Sequence, residues 1–264
     1  MGIHDAAARG FEAAADLYER ARPGYEDAAV ARLAAELRLS PASRVLELGA
    51  GTGKLTRQLL GTGAEIVAVE PVAAMRSVFA SVLPGAPVVG ATAEALPLVD
   101  GRFDAAVAGQ AFHWFDPDLS LREMHRVLRA GGRLGLIWNV RDESVAWVAA
   151  LSRLLDAYVG DVPSQRTADW KTAFVGSPWF GPLQRATYRT DQHTDPEGVV
   201  DRVASISYVA ALPEAERLKV AEAVRVLLAG HPDTRGRAEV TISHRTDVYW
   251  TDRLPGSRVP AAAP

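Results

Sequence analysis

Between residues 44 and 139, short runs rich in valine, isoleucine, leucine and alanine alternate with stretches whose apolar residues recur at helical spacing. Continuous apolar runs suit strands buried on both faces, so the alternation predicts βαβ units around a parallel sheet. The runs at 44–48, 65–69, 88–92, 103–108 and 132–138 are its successive strands. A helix is expected over 117–129, with Asp116 at the N-cap and proline in the first turn. Leu121, Met124 and Leu128 share its apolar face, and Gly131 and Gly132 follow its end. Upstream, Val30, Leu33 and Leu37 mark a helix within 26–38 that covers the sheet.

Beyond residue 140 the pattern changes. Leu218, Ala221, Val224 and Leu228 fall at helical spacing within 213–230, and Gly230 closes that helix. Val240, Ile242, His244, Thr246, Val248 and Trp250 alternate along a strand, expected to be an antiparallel edge with 183–190 as its partner. The glycine- and proline-punctuated segments 160–182 and 191–212 read as cap or loop. The fold class is α/β: a Rossmann-like, doubly wound, mostly parallel seven-stranded sheet with an antiparallel C-terminal strand, plus a helical N-terminal lid and cap segments. A single domain is expected over 1–252, with the lid and first helix in 1–40, the cofactor-binding core in 41–140, and cap helices and C-terminal strands in 141–252. The alanine- and proline-rich tail, 253–264, is expected to be flexible.

Composition narrows the chemistry. At 264 residues, 48% hydrophobic and 23% charged, the chain can bury a substantial core. A net charge of -3 lacks the basic excess that phosphate-backbone contacts require, so the expected partner is a small molecule and not nucleic acid. With no cysteine there is no disulfide frame, thiol nucleophile or thiolate metal site, and a cytoplasmic location is expected. No run of 18 apolar residues occurs, so no membrane span is expected.

The first strand ends in VLELGAGTGK, residues 45–54, a glycine-rich turn of the kind that binds a nucleoside triphosphate, a dinucleotide or S-adenosylmethionine. A Walker A loop fails twice: Leu55 follows Gly53 and Lys54 where Ser or Thr is needed, and Leu48 stands where the first glycine belongs. A dinucleotide turn fails at its third glycine, which is Lys54. The pattern is instead E-x-G-x-G-x-G, from Glu47 through Gly49 and Gly51 to Gly53. Glu70, at the tip of the second strand, can accept hydrogen bonds from a ribose diol, which suits NAD and S-adenosylmethionine alike. S-adenosylmethionine has no pyrophosphate but needs room for an ammonium and a carboxylate; Glu47 can hold the ammonium directly or through water.

VLELGAGTGKLT, VEPVAAM, ATAEALPLVDGRFD and AFHWFD, in that order, resemble class I S-adenosylmethionine-dependent methyltransferases. Within them the chain resembles the methyltransferase type 11 group, especially relatives of trans-aconitate methyltransferase. FEAAADLYERARPGY before the sheet and YRTDQHTDPEGVVDRVASISYVAALP after it share the likeness. The resemblance implies S-adenosyl-L-methionine as cofactor and S-adenosylhomocysteine as product. It implies that Glu70 takes the ribose hydroxyls, that Pro71 and Met75 line the adenine face, and that Ala93 and Glu94 approach the adenine edge. Gln110 would sit beside the methionine moiety, against the turn of Gly49, Ala50 and Gly51. Tyr18 and Arg22 would close over the cofactor, with Arg22 a partner for its carboxylate. Thr92 stands where many relatives carry aspartate.

Ligands of open α/β sheets bind beyond the carboxyl ends of the strands. GQAFHWFDP puts His113 and Trp114 at that rim, where an aromatic wall can accept a sulfonium and exclude water. His113 is the candidate base or positioning residue for the acceptor. Asn139 and Arg141, after the fifth strand, can read the acceptor's polar end or tie down the loop. His113, Asp116 and Asp118 are not expected to hold a metal, since capping and exposure account for both acids. Methyl transfer to a small molecule, by O-, N- or C-methylation of a carboxylate or phenol-like acceptor, is the expected function. A cofactor-binding module without transfer, or a non-transfer reaction of the bound sulfonium, is the alternative.

Overall fold

The computed structural model describes residues 5–160, 162–163, 165–167 and 169–255. Seven strands form one sheet: β1 (Arg44–Leu48), β2 (Glu65–Val69), β3 (Val88–Val89), β4 (Phe103–Gly109), β5 (Leu128–Arg141), β6 (Gln184–Thr194) and β7 (Val240–Asp252). Their order is β3-β2-β1-β4-β5-β7-β6. β1 to β5 pair in parallel, and β7 joins β5 and β6 antiparallel. From β1 the chain winds outward to β3, then returns to lay β4 on the other side of β1. This reversal opens a crevice beyond the ends of β1 and β4.

Around the sheet lie α1 (Asp5–Ala21), α2 (Asp27–Glu36), α3 (Lys54–Leu59), α4 (Ala73–Val82), α5 (Pro117–Val127), α6 (Ala146–Val159), α7 (Pro196–Ala204), α8 (Ser207–Ala210) and α9 (Glu214–Gly230). Alternation along β1 divides the core. Val45 packs with Leu33 of α2 and Leu55 of α3 on one face. Leu46 and Leu48 pack with Leu121 and Met124 of α5 on the other. Glu47 falls on the same side as Val45 and therefore lies under α3. A third core joins Trp147 and Leu151 of α6, Val199 of α7 and Val224 of α9 to the start of β7, forming the cap. Asp116 caps α5 as expected, accepting a hydrogen bond from the Leu119 amide at 3.0 Å. No described helix is long and apolar enough to cross a membrane.

Several boundaries differ from the sequence reading. β7 is an interior strand, and β6 is the edge. β7 is covered along most of its length, the polar Ser243, His244, Thr246 and Asp247 included, whereas β6 alternates exposed polar residues and so suits the rim. α5 ends at Val127 instead of 129, because Leu128 pairs with Phe103 and the sheet claims it. Gly131, at φ 75°, turns the chain before β5 continues to Arg141. β3 is shorter than expected. The segment 191–212, read as cap or loop, contains α7 and α8. Leu218 of α9 faces solvent, 63% exposed, while Val220 takes a core position. Of the tail, Arg253 and Leu254 are hydrogen-bonded to Gly132 and Trp179, and residues 256–264 lie outside the described residues.

Candidate active site

The turn after β1 exists because its glycines adopt left-handed backbone: φ is 65° at Gly49, 58° at Gly51 and 87° at Gly53. A Cβ at Gly49 would lie 2.6 Å from the Ala111 methyl, whereas a Cβ at Gly51 would meet nothing within 4 Å. The first glycine lets two segments touch; the second leaves open space. The Gly49 and Ala50 amides donate to the Val69 carbonyl at 2.8 and 3.1 Å, locking the turn onto β2. One residue further, the Glu70 carboxylate accepts from the Gly51 amide at 2.9 Å and the Val72 amide at 2.8 Å. Glu70 is buried, and burial raises its pKa against the pull of those two amides.

Three adjoining cavities lie at this end of the sheet, two of them lined by the turn, with Tyr18 and Gln110 lining all three. The first, about 740 Å³ with its open mouth, is lined by Glu70, Pro71, Met75, Ala93 and Glu94, and roofed by Phe11 and Trp114. A smaller one of about 450 Å³ brings together Arg22, Tyr25, Glu47, Ala50, Gly51 and Arg202. The largest, about 1570 Å³ and open to solvent, is lined by Arg22, His113, Trp114, Asn139, Arg141 and Arg202. Gln110 holds the junction in a left-handed conformation, φ 56°, which is costly for a residue with a side chain. Its amide donates to the Ile137 carbonyl at 2.9 Å and its side chain to the Asn139 carbonyl at 3.1 Å.

Glu47 is 1% exposed and accepts from the Thr56 hydroxyl at 2.5 Å. Burial pushes its pKa up to about 8, and the charge of Glu70 adds to the rise while Thr56 opposes it. Glu47 therefore keeps its proton at neutral pH. An unfolded glutamate titrates near 4.5, so its favourable share of stability is complete below that pH and is lost as pH climbs through about 8. Glu47→Gln is expected to flatten the decline of the thermal midpoint between pH 4.5 and 8; melts showing the wild-type decline in the variant would remove this assignment.

α1 closes the site from above. Glu19 accepts from the Thr52 hydroxyl at 2.6 Å and pairs with Arg57 at 2.8 Å and Lys54 at 3.3 Å, tying the helix to the glycine turn. Arg22 lies 5.0 Å from the Tyr18 ring centroid and donates to the Ser205 hydroxyl and carbonyl at 2.9 and 3.1 Å. The Asn139 side chain is occupied by structure: it donates to the Gly24 carbonyl at 2.8 Å and accepts from Thr246 at 2.6 Å. Of its two expected roles, tying down the loop is the one these bonds perform. Glu94 accepts from the Asp116 amide at 2.9 Å, joining the first cavity to the aromatic rim. Arg141 donates to Ser152 at 2.9 Å. The His113 ring accepts at Nδ1 from the Trp138 indole at 3.3 Å, and burial lowers its pKa to about 3.

Tyr25, Trp138 and Arg202 belong to the site and escaped the sequence reading. Tyr25 follows a turn signal that marked only a lid; its hydroxyl sits against Gly109, where a Cβ would come within 2.5 Å. Trp138 ended an apolar strand and read as core. Arg202 follows Asp201 between Val199 and Val203 on a helix, where adjacent charges read as surface, and no local signal points it inward. Among the described residues no group of three or more histidines, aspartates and glutamates is placed to hold a metal.

The glycine cradle and the two buried acids fit an elongated nucleoside with an amino-acid tail. Gly51 opens onto space, Glu70 stands at the first cavity and Glu47 at the smaller one. Doubly wound topology, this turn and an aromatic rim after β4 define a class I S-adenosylmethionine-dependent methyltransferase. Residues 46–136 match the family model described as a methyltransferase domain. The chain is 40% identical over 222 residues to an uncharacterised methyltransferase of Mycobacterium tuberculosis, covering 84% of this chain and 86% of that protein. It is 31% identical over 239 residues to an uncharacterised methyltransferase-like protein of Schizosaccharomyces pombe, covering 90% and 93%. The chain belongs to this methyltransferase family. The YcgJ protein of Bacillus subtilis has the same fold at a TM-score of 0.58 and 20% identity, over 88% of this chain and all of that one. So does a protein of Anaeromyxobacter dehalogenans provisionally assigned as a type II methyltransferase, at 0.65 and 22%, over 89% and 99%.

Proposed function

We propose that the chain transfers a methyl group from S-adenosyl-L-methionine to a small carboxylate or phenol-like molecule held in the largest cavity. The carrying observation is the junction at Tyr18 and Gln110, where the cavities lined by Glu70 and Glu47 open beside the larger one, with Arg22 and Arg202 on the border and Arg141 beyond it. Glu70 would hold the ribose hydroxyls with the lone pairs its two amides leave free. Met75 and Pro71 would flank the adenine, and Glu94 its edge. Glu47 and Arg22 would face the ammonium and carboxylate of the methionine end. The bound cofactor supplies an electrophilic methyl on a sulfonium. The chain's own task is positioning: Gln110 and Trp114 fix the approach, and Phe11 and Tyr18 exclude water.

Calorimetry with S-adenosylhomocysteine is expected to give saturable binding at one equivalent per chain. With methyl-labelled S-adenosylmethionine, label is expected to pass to members of a panel of small acids and phenols. Absence of heat with either nucleoside sinks the reading, and binding without transfer to any acceptor favours the module without activity.

A further inference from the structure

Arg22 after α1, Arg141 at the end of β5 and Arg202 in α7 converge on the largest cavity, where Arg22 and Arg202 stand on its border with the smaller one. Among the described residues none of the three has an acid partner. Two acids, Glu143 and Asp156, also line that cavity, but Arg166 pairs with them at 3.2 and 2.9 Å. Arg22 and Arg141 are steadied by neutral serine hydroxyls. Arg202 is the most isolated: it is 7% exposed and its Nε has no partner. Burial, and then the nearness of Arg22 and Arg141, holds its pKa well below the usual guanidinium value. His244 is likewise kept neutral, with a pKa of about 3, by burial and then by Arg202. A buried guanidinium without a counter-charge is costly, and a bound anion completes it.

The second observation is the state of His113. An indole N–H only donates, so the bond from Trp138 requires a lone pair on Nδ1. The ring is neutral, which leaves its proton on Nε2, and no described residue bonds that nitrogen. Trp138 is fully buried and stacked on Trp170 at 4.4 Å, so the tautomer is fixed by a side chain that has no room to turn. At the cavity His113 is thus a donor, and the base role expected of it from the sequence has no free lone pair.

We propose that the acceptor is a small carboxylate already ionised at its reacting oxygen, met by His113 as an N–H donor that Trp138 orients, and held by Arg202. This deepens the methyl-transfer reading and rests on it. The carboxylate oxygen supplies the electron pair of the new carbon–oxygen bond, the carbon–sulfur pair stays on sulfur, and no proton is released. A phenol would have to shed a proton that His113 has no lone pair to take, which removes the phenol-like half of the broader reading.

Two measurements test this. Long-range proton–nitrogen correlation spectra of the ¹⁵N-histidine protein at pH 7, with His113 assigned through His113→Gln, are expected to show Nδ1 unprotonated and Nε2 protonated. Trp138→Phe is expected to shift that ring toward the other tautomer, a change that mere loss of packing does not produce. A proton on Nδ1 in the wild type, or an imidazolium, overturns the proposal, as does a tautomer unmoved in Trp138→Phe. Separately, the protein saturated with S-adenosylhomocysteine is titrated with mono- and dicarboxylates, each beside its amide. At least one carboxylate is expected to bind tenfold or more tightly than its amide, with that preference lost in Arg202→Met. No such preference, or one unchanged in Arg202→Met, overturns it. Failure of S-adenosylhomocysteine to bind at all strikes the methyl-transfer reading itself.

Discussion

Glu70→Ala is expected to weaken S-adenosylhomocysteine binding at least about 100-fold and to lower the thermal midpoint as well. The carboxylate has two tasks. It holds the Gly51 and Val72 amides at 2.9 and 2.8 Å, and it presents its remaining lone pairs to the first cavity. A hydrogen bond to a charged group contributes about 1.5–3 kcal/mol, so loss of two to a ligand diol removes roughly two or more decades of affinity. Leaving two buried amides without an acceptor costs about 1–3 kcal/mol each, which accounts for the fall in stability. Glu70→Gln separates the tasks: its single carbonyl can satisfy one amide but turns an NH₂ toward the other. It is expected to bind more weakly than wild type and better than Glu70→Ala. Calorimetry of the three proteins checks the order, and an alanine variant within twofold of wild type eliminates Glu70 as the diol clamp.

The next largest effects are expected at Gly49 and Gly51, and they should differ in kind. Both residues sit at positive φ, so any side chain costs roughly 1 kcal/mol of backbone strain. At Gly49 the added methyl also meets Ala111 at 2.6 Å, a contact that forces β1 and the β4 rim apart. Gly49→Ala is therefore expected to lose about 2–4 kcal/mol of stability, the range of an overpacked core with added strain. At Gly51 the methyl enters open space lined by Glu70 and Tyr18, so the fold should survive with little beyond the strain. Binding should suffer instead: Gly51→Val is expected to fold and to lose S-adenosylhomocysteine about tenfold or more. Denaturant melts beside calorimetry separate the two cases. A Gly51→Val protein that binds as wild type would show that the ligand lies elsewhere.

The individual residues explain how far local pattern reached. Glu47, Gly49, Gly51 and Glu70 were visible because each marks a strand end in a βαβ unit, where spacing alone fixes which residues meet at the sheet's carboxyl edge. The aromatic rim was visible for the same reason. His113 was placed correctly at that rim, but its protonation was not readable. The donor that sets its tautomer is Trp138, 25 positions away on the neighbouring strand. Asn139 offered two roles, and only its bonds to Gly24 and Thr246 distinguish them.

Periodicity of 2 and 3.6, glycine placement and one pair of acids were enough for the central strands, the helices beside them and the meeting of Glu47, the glycine turn and Glu70 at one edge, since those depend on neighbours along the chain. The acceptor cavity depended on packing between distant segments. Arg22 and Arg141 were expected at this end of the sheet, the first by resemblance and the second by its place after the fifth strand, but Arg202, 61 residues beyond Arg141, resembles an ordinary surface cation. The convergence of the three without an acid partner among the described residues, and the burial of Arg202, arise only when α7 and the N-terminal helix close over the end of β5. The charge of a site is a sum over space, and a linear chain does not carry that sum in any local pattern.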